Sequence, residues 1–346
     1  MRGLALAQIR HIEPAAFGAA GPLGDRVYRQ LEHDFGVIAP PVVLHSPAPE
    51  TMAACWLMLR ETLLVPGTVG RPAKEAVAAA VSQANSCPYC VTVHGATLRG
   101  LADSRSAARI ADRRIEEVPD PRLREAARWA LDAAVRPVGR RPNAPFPREQ
   151  WPEYLGVALT FHYINRMVNV FLEDAPMPPS APRRGLPVVE RVLSGMIRSA
   201  GRRVQGAGES LSLLPEAELP DDLGWASGNP GLAQALARAA ATLDRAGEHA
   251  VPGPVRELVL AELDGWDGRP LGVSRSWTNR PLQTVPAEAR PAARLALLTA
   301  MASYQVDDSV VEECRREVQD DAALIEIAAW AAMAAARHVA GWAVTA

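Results

Sequence analysis

Apolar residues recur along this chain with the period of an α-helix almost throughout, and short β-branched runs of alternating polarity are sparse. The pattern predicts an all-α protein. Residues 50–64 read as one helix, closed by the breaker Pro66-Gly67. Pro72 opens the next, which runs through Glu75 to about Asn85. Proline suits a first helical turn, where its missing N–H has no partner to lose. Pro88 opens a third. Residues 103–115 and 120–135 form Ala/Arg/Glu-rich helices, residues 137–153 hold five prolines and read as a long loop, and residues 154–172 resume as an apolar helix.

Residues 175–187 are the best linker, with Pro176, Pro178, Pro179, Pro182 and Pro187. After it, Val188, Val189, Val192, Leu193, Met196 and Ile197 trace one helical face, with Arg191, Arg198, Arg202 and Arg203 around the other. Those arginines form either a solvated face or an anion or partner site. The halves on either side are self-similar. Val69–Glu75 resembles Val251–Glu257; holding that register pairs Glu75 with Glu257, Pro88 with Pro270 and His94 with Ser276. With a shifted register, 155–172 has its counterpart in 322–340. The expected organisation is a repeat at 1–175, a Pro-rich linker and connecting helix at 176–230, and a second repeat without the motif at 231–346. The longest apolar stretch, Ile327 to Ala336, is half the length of a membrane span and reads as a core helix.

The chain has 346 residues and a net charge of −2, so no global charge argues for a nucleic acid or an anionic membrane as partner. Its four cysteines, Cys55, Cys87, Cys90 and Cys314, are too few for a disulfide scaffold and suit a reducing cytoplasm. The apolar run at the N-terminus is broken by Arg10 and His11 and does not read as a signal peptide. No Gly-rich phosphate loop follows a strand pattern and no metal-ligand spacing is seen, so neither a cofactor nor a metal is expected.

Chemistry concentrates in Asn85-Ser86-Cys87-Pro88-Tyr89-Cys90-Val91-Thr92-Val93-His94. Two thiols two residues apart can close a disulfide. With a helix starting at Pro88, both sit near its N-terminus, where unpaired N–H groups and the helix dipole favour a thiolate. His94 lies one turn beyond Cys90 on the same face, so Cys90 is the thiol best placed to lose its proton to a base. Glu75, on the preceding helix, is either an ordinary surface carboxylate or the group that orients His94. Thiol redox chemistry, half of a zinc site and an inert core pair are the three readings. Zinc lacks further ligands, since Cys55 and Cys314 are lone and read as buried small hydrophobes. Cys-Pro-Tyr-Cys is also the glutaredoxin tetrapeptide, but here a helix, not a strand, precedes it.

The string Glu75, Val81-Ser82, Asn85, Cys87, Cys90, His94 and Thr97-Leu98-Arg99 resembles the alkylhydroperoxidase D-like branch of the carboxymuconolactone decarboxylase superfamily, with the spacing Glu-x11-Cys-x2-Cys-x3-His matched in full. The resemblance is specific over roughly residues 70–100 and extends to about 172. It implies an all-α helical fold in two tandem repeats, the second degenerate, assembled as a homo-oligomer. It further implies that Cys90 attacks a hydroperoxide, Cys87 resolves the product as a disulfide, and His94 passes protons with Glu75 behind it. The electrons would come from an external dithiol reductant. The family's best-known peroxidases carry a second histidine between the cysteines, where this chain has Tyr89, a poor base at neutral pH. The decarboxylase arm does not depend on a Cys-x-x-Cys pair. A thiol–disulfide oxidoreductase and a non-catalytic redox-sensing oligomer are the alternatives. His162, Asn165 and Arg166, polar groups inside an apolar helix, either form a satisfied packing network or face Cys90.

Overall fold

The computed structural model describes residues 5–138, 144–176 and 205–344, together with Gly195. Among the described residues there is no β-strand, only one isolated bridge between Ile9 and Leu172. The first half holds α1 (Gly21–Gln30) and α2 (Pro49–Leu59), the latter continued by a wider π-helical turn, Arg60–Leu64. Then come α3 (Arg71–Ala84), α4 (Pro88–Leu101), α5 (Ser104–Ala111), α6 (Pro121–Ala133) and α7 (Trp151–Phe171). Helices α2, α3, α4, α6 and α7 all carry proline in their first two positions. That habit explains one difference from the sequence reading. The loop expected to reach 153 ends at Gln150, because Pro152 starts a helix and does not prolong a loop. Helix 103–115 stops at Ala111, just before Arg113, whose φ of 61° is left-handed.

The second half holds α8 (Pro230–Ala250), α9 (Gly253–Gly265), α10 (Arg290–Ala302), α11 (Asp308–Arg315) and α12 (Asp321–Val344). Helices α7 and α12 pack side by side at the centre, α3 lies on α7, α10 lies on α12, and α8 lies on α2. One continuous apolar core runs through both halves. Helix α12 is long and apolar enough to cross a membrane by length and composition, yet most of it is buried inside this core.

At the register expected for the repeat, the second half has no α-helix in place of the Cys-x-x-Cys turn. Residues 267–274, which should mirror the Cys-x-x-Cys turn, form no α-helix: Gly268 and Gly272 adopt φ of 86° and 75°, and short 3₁₀ turns follow. A helix–turn–helix that opens with Arg-Pro, as α3 does, is found at α10–α11. Laying Arg71-Pro72 on Arg290-Pro291 sets Glu75 on Arg294, Cys87 on Val306, Cys90 on Ser309 and His94 on Glu313. Arg294 and Glu313 form an ion pair of 3.1 Å. Ala-rich helices carry too little side-chain information to fix such a register from sequence.

The predicted helix at 188–203, Gly195 excepted, and most of the Pro-rich linker lie outside the described residues. Where the chain is described again it is tied to the first half. The buried Arg60 guanidinium donates to Asp34 (2.5 Å), Glu61 (2.7 Å), the Gly206 carbonyl (2.9 Å) and Glu209 (2.6 Å). Glu61 accepts in turn from Gly208 N–H and the Ser210 hydroxyl. A buried arginine with its donors used in this way is compensated charge.

Candidate active site

The α3–α4 turn is built by backbone before any side chain enters. Cys87 N–H donates to the Ser82 carbonyl (2.9 Å), Ser86 N–H to the Gln83 carbonyl (3.1 Å), and Val91 N–H to the Cys87 carbonyl (3.0 Å). Ser86 takes a left-handed φ of 52°, an uncommon conformation outside glycine that the surrounding bonds must hold. The turn leaves Cys87 as the N-cap of α4 and Cys90 in its first turn.

Both thiols are interior: Cys87 is 0% and Cys90 2% exposed, and both are free. Burial pushes the Cys87 thiol well above its ordinary range, and hydrogen bonding with Cys90 and the charge of Asp174 add to it. The helix N-terminus was expected to favour a thiolate there. At Cys87 desolvation wins, because a macrodipole is worth about 1 kcal/mol or less while full burial shifts a group by several units.

Across the turn, His94 Nδ1 lies 2.7 Å from Glu75 Oε2. An ionised carboxylate only accepts, so Nδ1 carries a proton, and in a neutral imidazole Nε2 is then the nitrogen with the lone pair. Phe161 of α7 fixes the ring from the side, edge to face, with centroids 4.5 Å apart. The other oxygen, Glu75 Oε1, receives Arg71 Nε at 2.7 Å and Nη2 at 2.6 Å. Glu75 is 0% exposed. Burial alone would raise its carboxyl, but Arg71 and His94 outweigh that and hold it below the ordinary range. The Glu75 carboxylate is therefore an interior one, divided between a cation and an imidazole.

His162, Asn165 and Arg166 meet the turn ahead of the thiols. The Asn85 amide donates to His162 Nδ1 (3.1 Å) and Asn165 Oδ1 (3.0 Å), and its oxygen accepts from Arg166 Nη1 (3.1 Å). Asn165 donates to Ser82 Oγ, while Asn169 donates to the Asn85 carbonyl and to Ser303 Oγ in the second half. Arg166 reaches the same half through the Ala300 carbonyl (2.8 Å). Burial, then the charge of Arg166, drives His162 well below its ordinary range, so it is neutral. Burial also lowers Arg166, to about 9. The three residues thus form a satisfied network that sets the turn against both halves.

The N-terminal segment closes the outer side. Tyr89 is buried and its hydroxyl donates to Gln8 Oε1 at 3.0 Å. Arg10 N–H donates to the Phe171 carbonyl and Glu173 N–H to the Gln8 carbonyl. Burial, then the nearby thiols, pushes the Tyr89 hydroxyl well above its ordinary range. Of these groups, sequence reasoning missed Arg71, Phe161 and Gln8. Arg71 alone carried a signal, its i, i+4 spacing to Glu75, and that spacing is common on any helix.

Residues 49–134 match the model of the carboxymuconolactone decarboxylase family. Over 334 residues the chain is 37% identical to a Mycobacterium tuberculosis protein named as an alkyl hydroperoxide reductase, with 96% of this chain and 94% of that protein covered.

Proposed function

The chain belongs to the carboxymuconolactone decarboxylase family, and from that premise we propose that it is a thiol-dependent peroxidase reducing organic hydroperoxides at Cys90. The observation that carries the reading is the interior Glu75–His94 pair, one helical turn from Cys90, with Nε2 of His94 left as a base. His94 takes the Cys90 proton, and the thiolate attacks the terminal oxygen of ROOH. The O–O bond breaks, the leaving alkoxide takes up a proton as ROH, and Cys90 becomes a sulfenic acid. The Cys87 thiol attacks that sulfur, water leaves, and a Cys87–Cys90 disulfide forms. An external dithiol returns both thiols, so one hydroperoxide and one dithiol give alcohol, water and disulfide.

Burial supports this division of labour. Cys87, whose thiol burial holds protonated, is the poorer first nucleophile of the two, which leaves the attack on peroxide to Cys90. Interior thiols are also reached more easily by a small peroxide than by a protein disulfide, which disfavours a general disulfide oxidoreductase. The same reading takes 1–175 as the active repeat, 176–230 as the connection and 231–346 as the motif-free repeat, in a cytoplasmic homo-oligomer.

The test is a single turnover. Reduced protein freed of reductant is mixed with one equivalent of an organic hydroperoxide, and peroxide and free thiols are counted. One peroxide and two thiols lost per chain, abolished by Cys90→Ser, is the expected result. In Cys87→Ser, mass spectrometry should find a sulfenic acid on Cys90. Thiols that stay reduced for many minutes would remove the peroxidase reading.

A further inference from the structure

Arg71 touches neither thiol, yet it determines what His94 can do. Its two donors converge on one oxygen of Glu75, and His94 takes the other. We infer that Arg71 is a positioning residue of the proton relay: its cation keeps the interior Glu75 an acceptor, and so keeps the His94 proton on Nδ1 and Nε2 as the basic nitrogen. The inference rests on the reading that Nε2 serves Cys90.

The physical argument concerns the tautomer. An interior carboxylate facing only a neutral imidazole takes up a proton, because ionised groups without water or a counter-charge are costly. Once protonated, Glu75 would donate to Nδ1. The imidazole proton would then move to Nε2, and the base would be lost from that nitrogen. Arg71 is the group that prevents this. Its guanidinium is 24% exposed and bridges solvent to a carboxylate with no exposure of its own.

Most other charges near this pair are engaged elsewhere or lie on exposed faces. On α3 itself, Lys74 binds Glu153 and the Val65 carbonyl. On α7, His162 is neutral and Arg166 binds carbonyls and Asn85. On α6, Arg124 binds the Val118 carbonyl, Arg128 binds Glu116, and Arg122, Glu125 and Asp132 lie on the exposed face. On α5, Arg109 pairs with Glu117. On α4, Cys90 shares the helix with His94, and Arg99 lies one turn beyond it, toward Gly95. The charge acting most strongly on Glu75 is that of Arg71.

The test compares the full-length wild type with Arg71→Gln and Arg71→Lys. Nitrogen-15 NMR of histidine-labelled protein reads the His94 tautomer directly, assigned by His94→Gln. Wild type and Arg71→Lys should show the proton on Nδ1 at pH 7; Arg71→Gln should show it on Nε2. In single-turnover peroxide assays at pH 7, Arg71→Gln should be slower than wild type by at least about tenfold, because the base at Nε2 is lost. Arg71→Lys should stay within about twofold of wild type, since a unit positive charge is retained. Arg71→Met replaces Arg71→Gln if circular dichroism shows that the latter does not fold. An unchanged tautomer in a folded, uncharged variant overturns the inference, whatever the peroxide assay gives. A tautomer switch with no peroxide turnover in wild type would leave the role of Arg71 standing and remove the peroxidase reading instead.

Discussion

Glu153→Gln should be among the most damaging near-isosteric changes in this protein. Glu153 sits in the first turn of α7 and reaches back to the segment that launches α3. It accepts from Thr68 N–H and Thr68 Oγ1, both at 2.7 Å, from Val69 N–H, and from Lys74 Nζ at 2.9 Å. A glutamine keeps one oxygen for Thr68 but leaves the Lys74 ammonium, a side chain only 3% exposed, with the Val65 carbonyl alone. Breaking one side of a buried pair costs about 3–5 kcal/mol. Spread over an unfolding entropy of about 0.7 kcal/mol/K for a chain of 346 residues, that is a fall in Tm of roughly 4–7 °C. Replacing both partners, as in Lys74→Met with Glu153→Gln, should recover at least half of the loss, because no charge is then stranded. The pH dependence has a definite sign. Burial would raise the Glu153 carboxyl, but Lys74 and Thr68 outweigh it and hold it below the ordinary range. Its contribution is therefore complete above about pH 4.3, the unfolded value, and is lost as pH falls through the lower folded value. Burial, only partly offset by Glu153, lowers Lys74. The Glu153→Gln deficit should therefore shrink as pH rises toward about 10, where the stranded lysine gives up its proton first in the folded state. Scanning calorimetry across pH decides the matter. A single variant within about 1 °C of wild type, or a double variant no better than the single, would refute the reasoning.

Glu75→Gln exchanges a charged acceptor for a neutral one at His94 and should slow the peroxide step about tenfold, the difference of about 1–1.5 kcal/mol between charged and neutral hydrogen bonds; stopped-flow single turnover measures it. Tyr89→Phe should leave that step within about threefold, because the hydroxyl donates to Gln8 and not to a thiol. A fall beyond tenfold would make Tyr89 the stand-in for the family's second histidine. The same variant frees the N-terminal segment from the motif, so iodoacetamide should label Cys90 faster than in wild type. Asn85→Ala removes the acceptor of Arg166 and the donor to His162 and Asn165, and should cost about 2–4 kcal/mol in chemical denaturation, one buried network lost at the turn; a loss below 1 kcal/mol would show that the backbone alone holds Ser86.

The helical class, the placement of α3 and α4 and the family were legible because each rests on local information. Proline at first turns and a 3.6-residue apolar period need no partner to be read. The Glu75–His94 contact followed from a spacing seen through a resemblance. The Lys74–Glu153 pair was not legible, since it joins residues far apart in sequence and neither has a pattern around it. The N-terminal segment was missed for a related reason: it is aperiodic, and what orders it is the far end of α7. His162, Asn165 and Arg166 showed that something polar was buried, but not that Asn85 was what they held. The preference of a helix start for a thiolate failed at Cys87 because the sequence gives no measure of burial.

The ion pair between Arg294 and Glu313 joins α10 to α11 with the base on the first helix and the acid on the second. Laid on the first half by their Arg-Pro starts, these positions fall on Glu75 and His94, so the polarity is reversed. Arg294→Glu alone would set two carboxylates against each other, and Glu313→His alone an imidazole against a guanidinium. Only the double exchange keeps an attractive contact, so the second half cannot take on the first half's pair one residue at a time without passing through a repulsive one.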